Sequence, residues 1–277
     1  MPYCDLHTHS DYSDGTYTPK QIIDEAEAMK LSAVALCDHN TVKGVYEFFE
    51  AALGKTVKAV AGIEISTDYG EHELHILGLF IPQERYEEIE QFVQTIVKNK
   101  EESNRVLIKM LRNAGYAISF DEIKAKTRNG QFNRANIACE LTEKGYASSI
   151  NDAFKTILNK FYIRTKRIPV FEAIDFLRSK NCTVVLAHPF LNLNEAELRK
   201  FLPQAKASGL DAMEVFYPTY DAELMEKSKA IADEFGLLYS GGSDFHGTNK
   251  IDIKLGHGRN NVFVQDEIYK KLFDARG

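Results

Sequence analysis

Residues 2–15 read PYCDLHTHSDYSDG, and this stretch decides both the fold and the chemistry. Pro2 to Leu6 has the apolar, bounded pattern of a short strand. His7 and His9 follow two residues apart, so on extended backbone both imidazoles point to one side and can meet one ion. The polar loop behind them delivers Asp14. Thr18 then caps a helix expected over Pro19–Met29, with proline at its first position, Gln21 three residues after the cap, and Ile22, Ile23 and Ala26 on one face. A strand with metal-ligating side chains at its exit, followed by a helix, is the unit that the chain goes on to repeat.

Further strands are expected at Ala33–Cys37, Lys58–Ile65 and Glu73–Phe80, with a helix at Val42–Leu53. His39 in CDHN and Glu64 in GIEIS come directly after or within apolar runs, and His75 lies in ELHILG. From about Glu84 to Ala114 the pattern becomes one long helix, with Ile89, Phe92, Val93, Ile96, Val97, Leu107, Ile108 and Leu111 at three- and four-residue spacing. Shorter helices follow near Asp121–Thr127, Arg134–Lys144 and Asn151–Leu158. Alternation resumes after Pro169: helices at Val170–Ser179, Glu195–Ser208 and Ala222–Phe235 lead to strands at Thr183–Ala187, Ala212–Phe216 and Leu237–Ser240, with Val262–Val264 closing the sheet. Such alternation points to a parallel sheet with helical crossovers. Some seven strands with ligands at so many of their ends favour an α/β barrel over an open sheet. The expected organisation is a barrel domain, residues 1–94 and 168–277, interrupted by a helical insertion, residues 95–167.

The composition, 44% hydrophobic and 27% charged over 277 residues, is that of a soluble globular chain able to bury a large core. Ligand chemistry from position 7 leaves no room for a signal segment, and no apolar run reaches the roughly 18 residues of a membrane span, so the expectation is a cytoplasmic protein without a membrane partner. Cys4, Cys37, Cys139 and Cys182 form no C-x-x-C pair and read as reduced, buried thiols. The net charge of −6 argues against stable binding of long nucleic acid. It conceals a segregation: residues 95–167 hold 15 Lys and Arg against 7 Asp and Glu, or +8, which leaves 19 against 33, or −14, for the rest.

Six histidines, His7, His9, His39, His75, His188 in LAHPF and His246 in GGSDFHG, and three carboxylates, Asp14, Glu64 and Asp244, thus fall at or near strand ends. Imidazole with carboxylate suits borderline divalent metals, and nine such groups imply more than one ion. Mn²⁺, Fe²⁺ and Zn²⁺ all fit that donor set.

In order along the chain, DLHTHSDYSDG, CDHN, GIEIS, LHILG, AHPF and SDFHG resemble the motifs of the polymerase and histidinol phosphatase, or PHP, family of metal-dependent phosphoesterases. The resemblance covers essentially the whole chain and is strongest to small stand-alone enzymes acting on nucleoside 3',5'-bisphosphates and short oligonucleotides. It implies a distorted (β/α)7 TIM-like barrel with three ions. Carried over by motif, His7, His9, Glu64 and Asp244 would hold the first ion, a bridging Glu64 with His75 and His188 the second, and Asp14, His39 and His246 the third. Asp14, His39, Glu64, Asp244 and His246 would then serve the catalytic centre, where a hydroxide between two ions attacks phosphorus. Asp38 would orient a ligand or cap the following helix.

Phosphate-binding groups are expected outside that set. Arg134 resembles the family's substrate-binding arginine, and a guanidinium offers phosphate a bidentate fork. Arg164, Lys166 and Arg167 cluster where the barrel resumes, and the resemblance places His257, in LGHG, near the substrate phosphate. Asn136 departs from the relatives, where a histidine is expected. Tyr217 and Pro218 lie in a loop suited to a base or sugar pocket. The expected reaction is hydrolysis of a phosphate monoester of a small nucleotide, with 5' to 3' trimming of short oligonucleotides as a second expected activity. Histidinol phosphate is the runner-up substrate, disfavoured because its amine would be repelled by a basic cap. An amidohydrolase-like barrel usually needs a bridging lysine that this chain does not place, and a non-catalytic scaffold should have lost ligands, whereas all nine are filled.

Overall fold

The computed structural model describes residues 2–127, 132–161, 163, 165–257 and 263–276. Strands β1 (Tyr3–Thr8), β2 (Ala33–Leu36) and β3 (Lys58–Tyr69) pair in parallel, joined by helices α1 (Pro19–Ala28) and α2 (Val45–Ala52). The start of α1 follows its sequence: the Thr18 hydroxyl accepts from the Gln21 N–H, the Gln21 side chain accepts from the Thr18 N–H, and Pro19 opens the helix.

Strand β4 (His72–Leu79) departs from the expected all-parallel arrangement. It folds back on β3 as a hairpin, with Tyr69 opposite His72 and Ile65 opposite Ile76, and pairs antiparallel with the strand Thr183–Leu186 as well. Only seven residues separate the strand ends expected at Ile65 and Glu73, too few for the dozen or more that a parallel crossover takes. Gly70, at φ 57°, makes the turn.

After the helices that follow β4, a two-residue strand β5 (Ile168–Pro169) pairs with the end of β3. Helices α7 (Val170–Ser179), α8 (Glu195–Ala207) and α9 (Ala222–Glu234) then alternate with β6 (Thr183–Leu186), β7 (Ala212–Phe216) and β8 (Leu238–Gly241), which pair in parallel. The sheet order is β8-β7-β6-β4-β3-β2-β1-β9. The His9 N–H donates to the Phe245 carbonyl at 2.9 Å, and Thr8 bridges Phe245, bringing the segment after β8 against β1 so that seven strands curl into a nearly closed barrel. The short strand β9 (Val264–Gln265) adds antiparallel to β1, and a helix that the periodicity did not reveal, α10 (Asp266–Asp274), covers the barrel's lower end. Val262, expected in the closing strand, lies outside the described residues.

Leu6, Ala35, Val60, Leu77 and Val185, from successive strands, form one buried apolar cluster, and there are two further apolar bodies. One lines the barrel wall against its helices, with Ile22, Phe48, Ile63, Ile76, Leu186 and Phe201 fully buried. The other is formed by α3 (Tyr86–Asn113), α4 (Phe120–Lys126), α5 (Arg134–Glu143) and α6 (Ile150–Thr156), around Leu107, Leu111, Ile123, Ile137, Leu141 and Leu158. A single helix joins them: Ile89, Val93 and Ile96 of α3 belong to the first, and Leu107, Ile108 and Leu111 to the second.

Candidate metal centre

The fold delivers all nine expected ligands to one end of the barrel. His7 ends the inward row of β1 and His9 sits just past the strand, while Asp14 comes from the loop leading to α1. His39 follows β2 and bridges to Glu64 on β3. The β3–β4 register puts Ser66 opposite His75, so Glu64 and His75 are diagonal neighbours on one face, and His75 Nδ1 stands 2.8 Å from Glu64 Oε1. His188 follows β6 at φ 29° and Asp244 follows β8 at φ 50°, both in the left-handed region that costs about 1–3 kcal/mol and persists at functional sites.

Glu64 is the hub. Its Oε2 lies 3.4 Å from His7 Nε2, 3.3 Å from His9 Nε2 and 3.0 Å from His39 Nδ1, while its Oε1 lies 3.0 Å from His188 Nε2. Asp244 Oδ1 is 3.2 Å from His9 Nε2, and Asp14 Oδ1 is 3.2 Å from His246 Nε2. Three donor groups overlap: His7, His9 and Glu64; His39, Glu64 and His75; and His9, Asp14, His39 and His246. His9 and His39 each join two groups, so they stand between the clusters that the motifs alone keep separate.

The donors fit cations. His7 and His9 bring their Nε2 atoms to 3.0 Å of each other beside the same Glu64 oxygen, and Glu214 at His7 Nδ1 assigns the His7 proton there, leaving the Nε2 lone pair facing the cluster. Burial opposes charge on these imidazoles, yet the carboxylates outweigh it: Glu214, Glu64 and Asp244 raise His7, Asp244 and Glu64 lift His9 to about 9, and Glu64 and Glu73 lift His75 to about 10. Burial prevails at His39, which falls to about 4. Burial alone would push Glu64 up, but His39, His75 and His7 hold its carboxyl well below the usual range. A site that binds protons this strongly offers the same potential to divalent ions.

A supporting layer fixes the candidate ligands, and the sequence reading missed most of it. Buried Glu214 on β7 accepts from His7 Nδ1 at 2.9 Å and from the His188 N–H at 2.8 Å. Asp244 Oδ2 accepts from the Tyr217 hydroxyl at 2.7 Å and from Lys250 at 2.6 Å, which turns Oδ1 toward His9. Asp5 accepts from the N–H and hydroxyl of Ser243 and so anchors the Asp244 loop. The Asp38 carboxylate accepts from the Ser10 N–H and from the Ser10 and Ser13 hydroxyls, so it pins the loop carrying Asp14, while its carbonyl accepts from the Glu64 N–H at 3.2 Å; the N-cap of α2 is Gly44. Cys37 is buried and its thiol is pushed up by desolvation, consistent with an inert thiol.

The expected phosphate groups divide. Arg134, in the first turn of α5, lines a cleft with Asp14, His39 and His75; Lys100, not anticipated, lines the same wall. Asn136 is the third residue of α5 and accepts from the Asn133 N–H in a capping box, which gives the departure from the relatives a local structural role. Arg167 also borders the cleft; its side chain is 7% exposed and pairs with Asp68 and Glu73, and Glu73 in turn reaches His75 Nε2 at 3.3 Å. Lys166 is exposed, and its carbonyl accepts from the Asn99 side chain at 3.0 Å. His257 is not brought to the cluster: its ring stands 5.7 Å from Phe263, which stacks on Tyr3 at the opposite end of β1. Arg164 lies outside the described residues.

Residues 5–164 match the PHP domain. The chain belongs to the PHP family. It is 30% identical over 246 residues to a 5'-3' exoribonuclease of Haemophilus influenzae, covering 87% of this chain and 89% of the relative. It is 28% identical over 278 residues to a 3',5'-nucleoside bisphosphate phosphatase of Chromobacterium violaceum, covering 98% and 97%. A crystal structure from Bifidobacterium adolescentis, described as a metal-dependent phosphoesterase, superposes with a TM-score of 0.87 at 27% identity, over 100% of this chain and 96% of the other. The protein is a metal-dependent phosphoesterase of the PHP family, a hydrolase of phosphoester bonds. Among the described residues no helix is long and apolar enough to cross a membrane.

Proposed function

We propose that this PHP enzyme removes one phosphate from a small nucleotide carrying two, with a nucleoside 3',5'-bisphosphate as the best-fitting substrate, and that the same site trims short oligonucleotides from the 5' end. One observation carries the reading: Lys100 and Arg134, both from the segment 95–167, line the same cleft as the candidate ligands Asp14, His39 and His75. A cap of this kind holds the phosphate that does not react, while the centre holds the one that does. The names of the two curated relatives support both activities. Histidinol phosphate brings an amine to a wall of cations and fits less well.

The nine ligands are assigned to three divalent ions, Mn²⁺, Fe²⁺ or Zn²⁺. Such ions supply Lewis acidity and lower the pKa of water. Around them, Glu64 and the imidazoles hold the reacting end, Tyr217 and Lys250 keep Asp244 aimed inward, and Arg134 orients the remote phosphate so that the scissile ester meets the centre in one register. Three dications against three carboxylates leave a positive excess that an anionic substrate completes.

A substrate panel tests the reading. Adenosine 3',5'-bisphosphate and a short 5'-phosphorylated oligonucleotide are expected to exceed histidinol phosphate in kcat/KM by about 100-fold or more, the scale of two charge-assisted phosphate contacts. Equal turnover of histidinol phosphate removes it.

A further inference from the structure

Asn133 stands between the cleft arginine and the candidate ligands. Its Oδ1 accepts from the N–H groups of Ala135 at 2.9 Å and Asn136 at 3.2 Å, closing the N-terminus of α5. Its Nδ2 donates to the Ser13 carbonyl at 3.1 Å. Arg134 follows Asn133 in the chain, and Asp14 follows Ser13. One carboxamide therefore joins the helix turn that carries Arg134 to the loop that carries Asp14.

A second carboxamide grips the same loop from the barrel side. Asn249 Nδ2 donates to the Asp14 carbonyl at 2.7 Å, so the successive carbonyls of Ser13 and Asp14 each receive a side-chain amide. The loop is otherwise closed on itself and on the barrel: the Ser13 and Gly15 N–H groups donate to the Ser10 carbonyl, and the Thr16 N–H donates to the His246 carbonyl. Of these bonds, the one from Asn133 crosses from α5. Capping alone does not account for the residue, because serine closes a helix about as well as asparagine, whereas its shorter side chain cannot cap α5 and reach Ser13 as well.

We infer that Asn133 is a positioning residue for hydrolysis of a two-phosphate substrate, holding Arg134 at a fixed distance from the Asp14 side of the centre; the inference rests on the Arg134 reading above. A substrate gripped at both ends reacts when the distance between the grips matches its own length, and an error of about 1 Å costs up to about 100-fold. An aryl monophosphate is gripped at one end and does not sense that distance.

The test compares Asn133→Ser with the unaltered metal-loaded enzyme on adenosine 3',5'-bisphosphate and on an aryl phosphate. Serine keeps the cap and adds no charge, so Tm is expected to stay within about 4 °C, the effect of one hydrogen bond in a chain of this size. The ratio of kcat/KM for the bisphosphate to that for the aryl phosphate is expected to fall about tenfold, with the loss carried by kcat. In an Arg134→Ala background the same substitution is expected to change that ratio by about twofold or less, because no second grip is left to place. A loss carried by KM alone overturns the inference. So does an equal loss with and without Arg134, which would assign Asn133 a substrate contact of its own. If Asn133→Ser leaves the ratio unchanged while Arg134→Ala lowers it, the inference fails and the two-phosphate reading stands; if Arg134→Ala leaves it unchanged, both fail.

Discussion

Glu214 Oε1 stands 2.9 Å from Nδ1 of His7, and neither side chain is exposed to solvent. The pair fixes the His7 tautomer and, through the second Glu214 oxygen on the His188 N–H, ties β1 to the exit of β6. Carboxylates behind metal-bound imidazoles commonly set ligand orientation and basicity. Glu214→Gln keeps the shape and removes the charge. Metal affinity measured by titration calorimetry is expected to fall by about 10- to 100-fold, with kcat at saturating metal falling less. Unchanged affinity would reduce Glu214 to a packing residue.

Arg134→Ala separates recognition from chemistry. Loss of a guanidinium fork should lower kcat/KM for a 3',5'-bisphosphate by about 10- to 100-fold and leave an aryl monophosphate within about twofold. Arg134→Lys should restore only part of the loss, because a point charge lacks the fork. If both substrates suffer alike, Arg134 is not a reader of the second phosphate.

The metal-free protein should lose stability in alkali. His9 is held up to about 9 and His75 to about 10, against about 6.5 for an unfolded histidine. The folded state then keeps protons that the unfolded chain has released, so this stabilisation is complete below about pH 6.5 and disappears as pH rises through 9 to 10. His39, lowered to about 4, acts oppositely: its cost emerges as pH falls from about 6.5 toward 4. The Tm of the chelator-treated protein is therefore expected to peak near neutrality and decline toward about pH 10, and added divalent ion, which displaces the protons, should flatten the decline. A metal-free Tm that climbs over the same alkaline range would contradict the electrostatics described.

The clustering of the nine candidate side chains was legible because most of them fall inside or just past apolar strand runs, as His7 in β1, Glu64 in β3 and His75 in β4 do, where a titratable side chain makes poor core material. The barrel was legible from alternation, but the direction of β4 was not, since hydrophobic period is the same in parallel and antiparallel strands; only the short spacing between Ile65 and Glu73 carried that information. Glu214 left one overlooked sign, a lone carboxylate inside the apolar run AMEVF, where a buried charge calls for a partner. Lys250 and Lys100 left none, because a loop or helix lysine reads as solvated until the fold shows what it faces. Pairs around Arg167 were hidden from the sequence for a physical reason: the β3–β4 hairpin brings Asp68 and Glu73 together, and both carboxylates pair with its guanidinium. His257 shows the limit of motif position, since flanking glycines announce close backbone packing without saying against what.

The central claim is that the nine clustered side chains form a polynuclear centre on which phosphoester hydrolysis depends. Metal content by elemental analysis, taken together with phosphate release before and after chelation, tests it most directly. The account predicts close to three divalent ions per chain, turnover lost on chelation, and turnover regained when Mn²⁺, Fe²⁺ or Zn²⁺ is returned. Fewer than two ions in the active protein, or phosphate release that survives their removal, would contradict it.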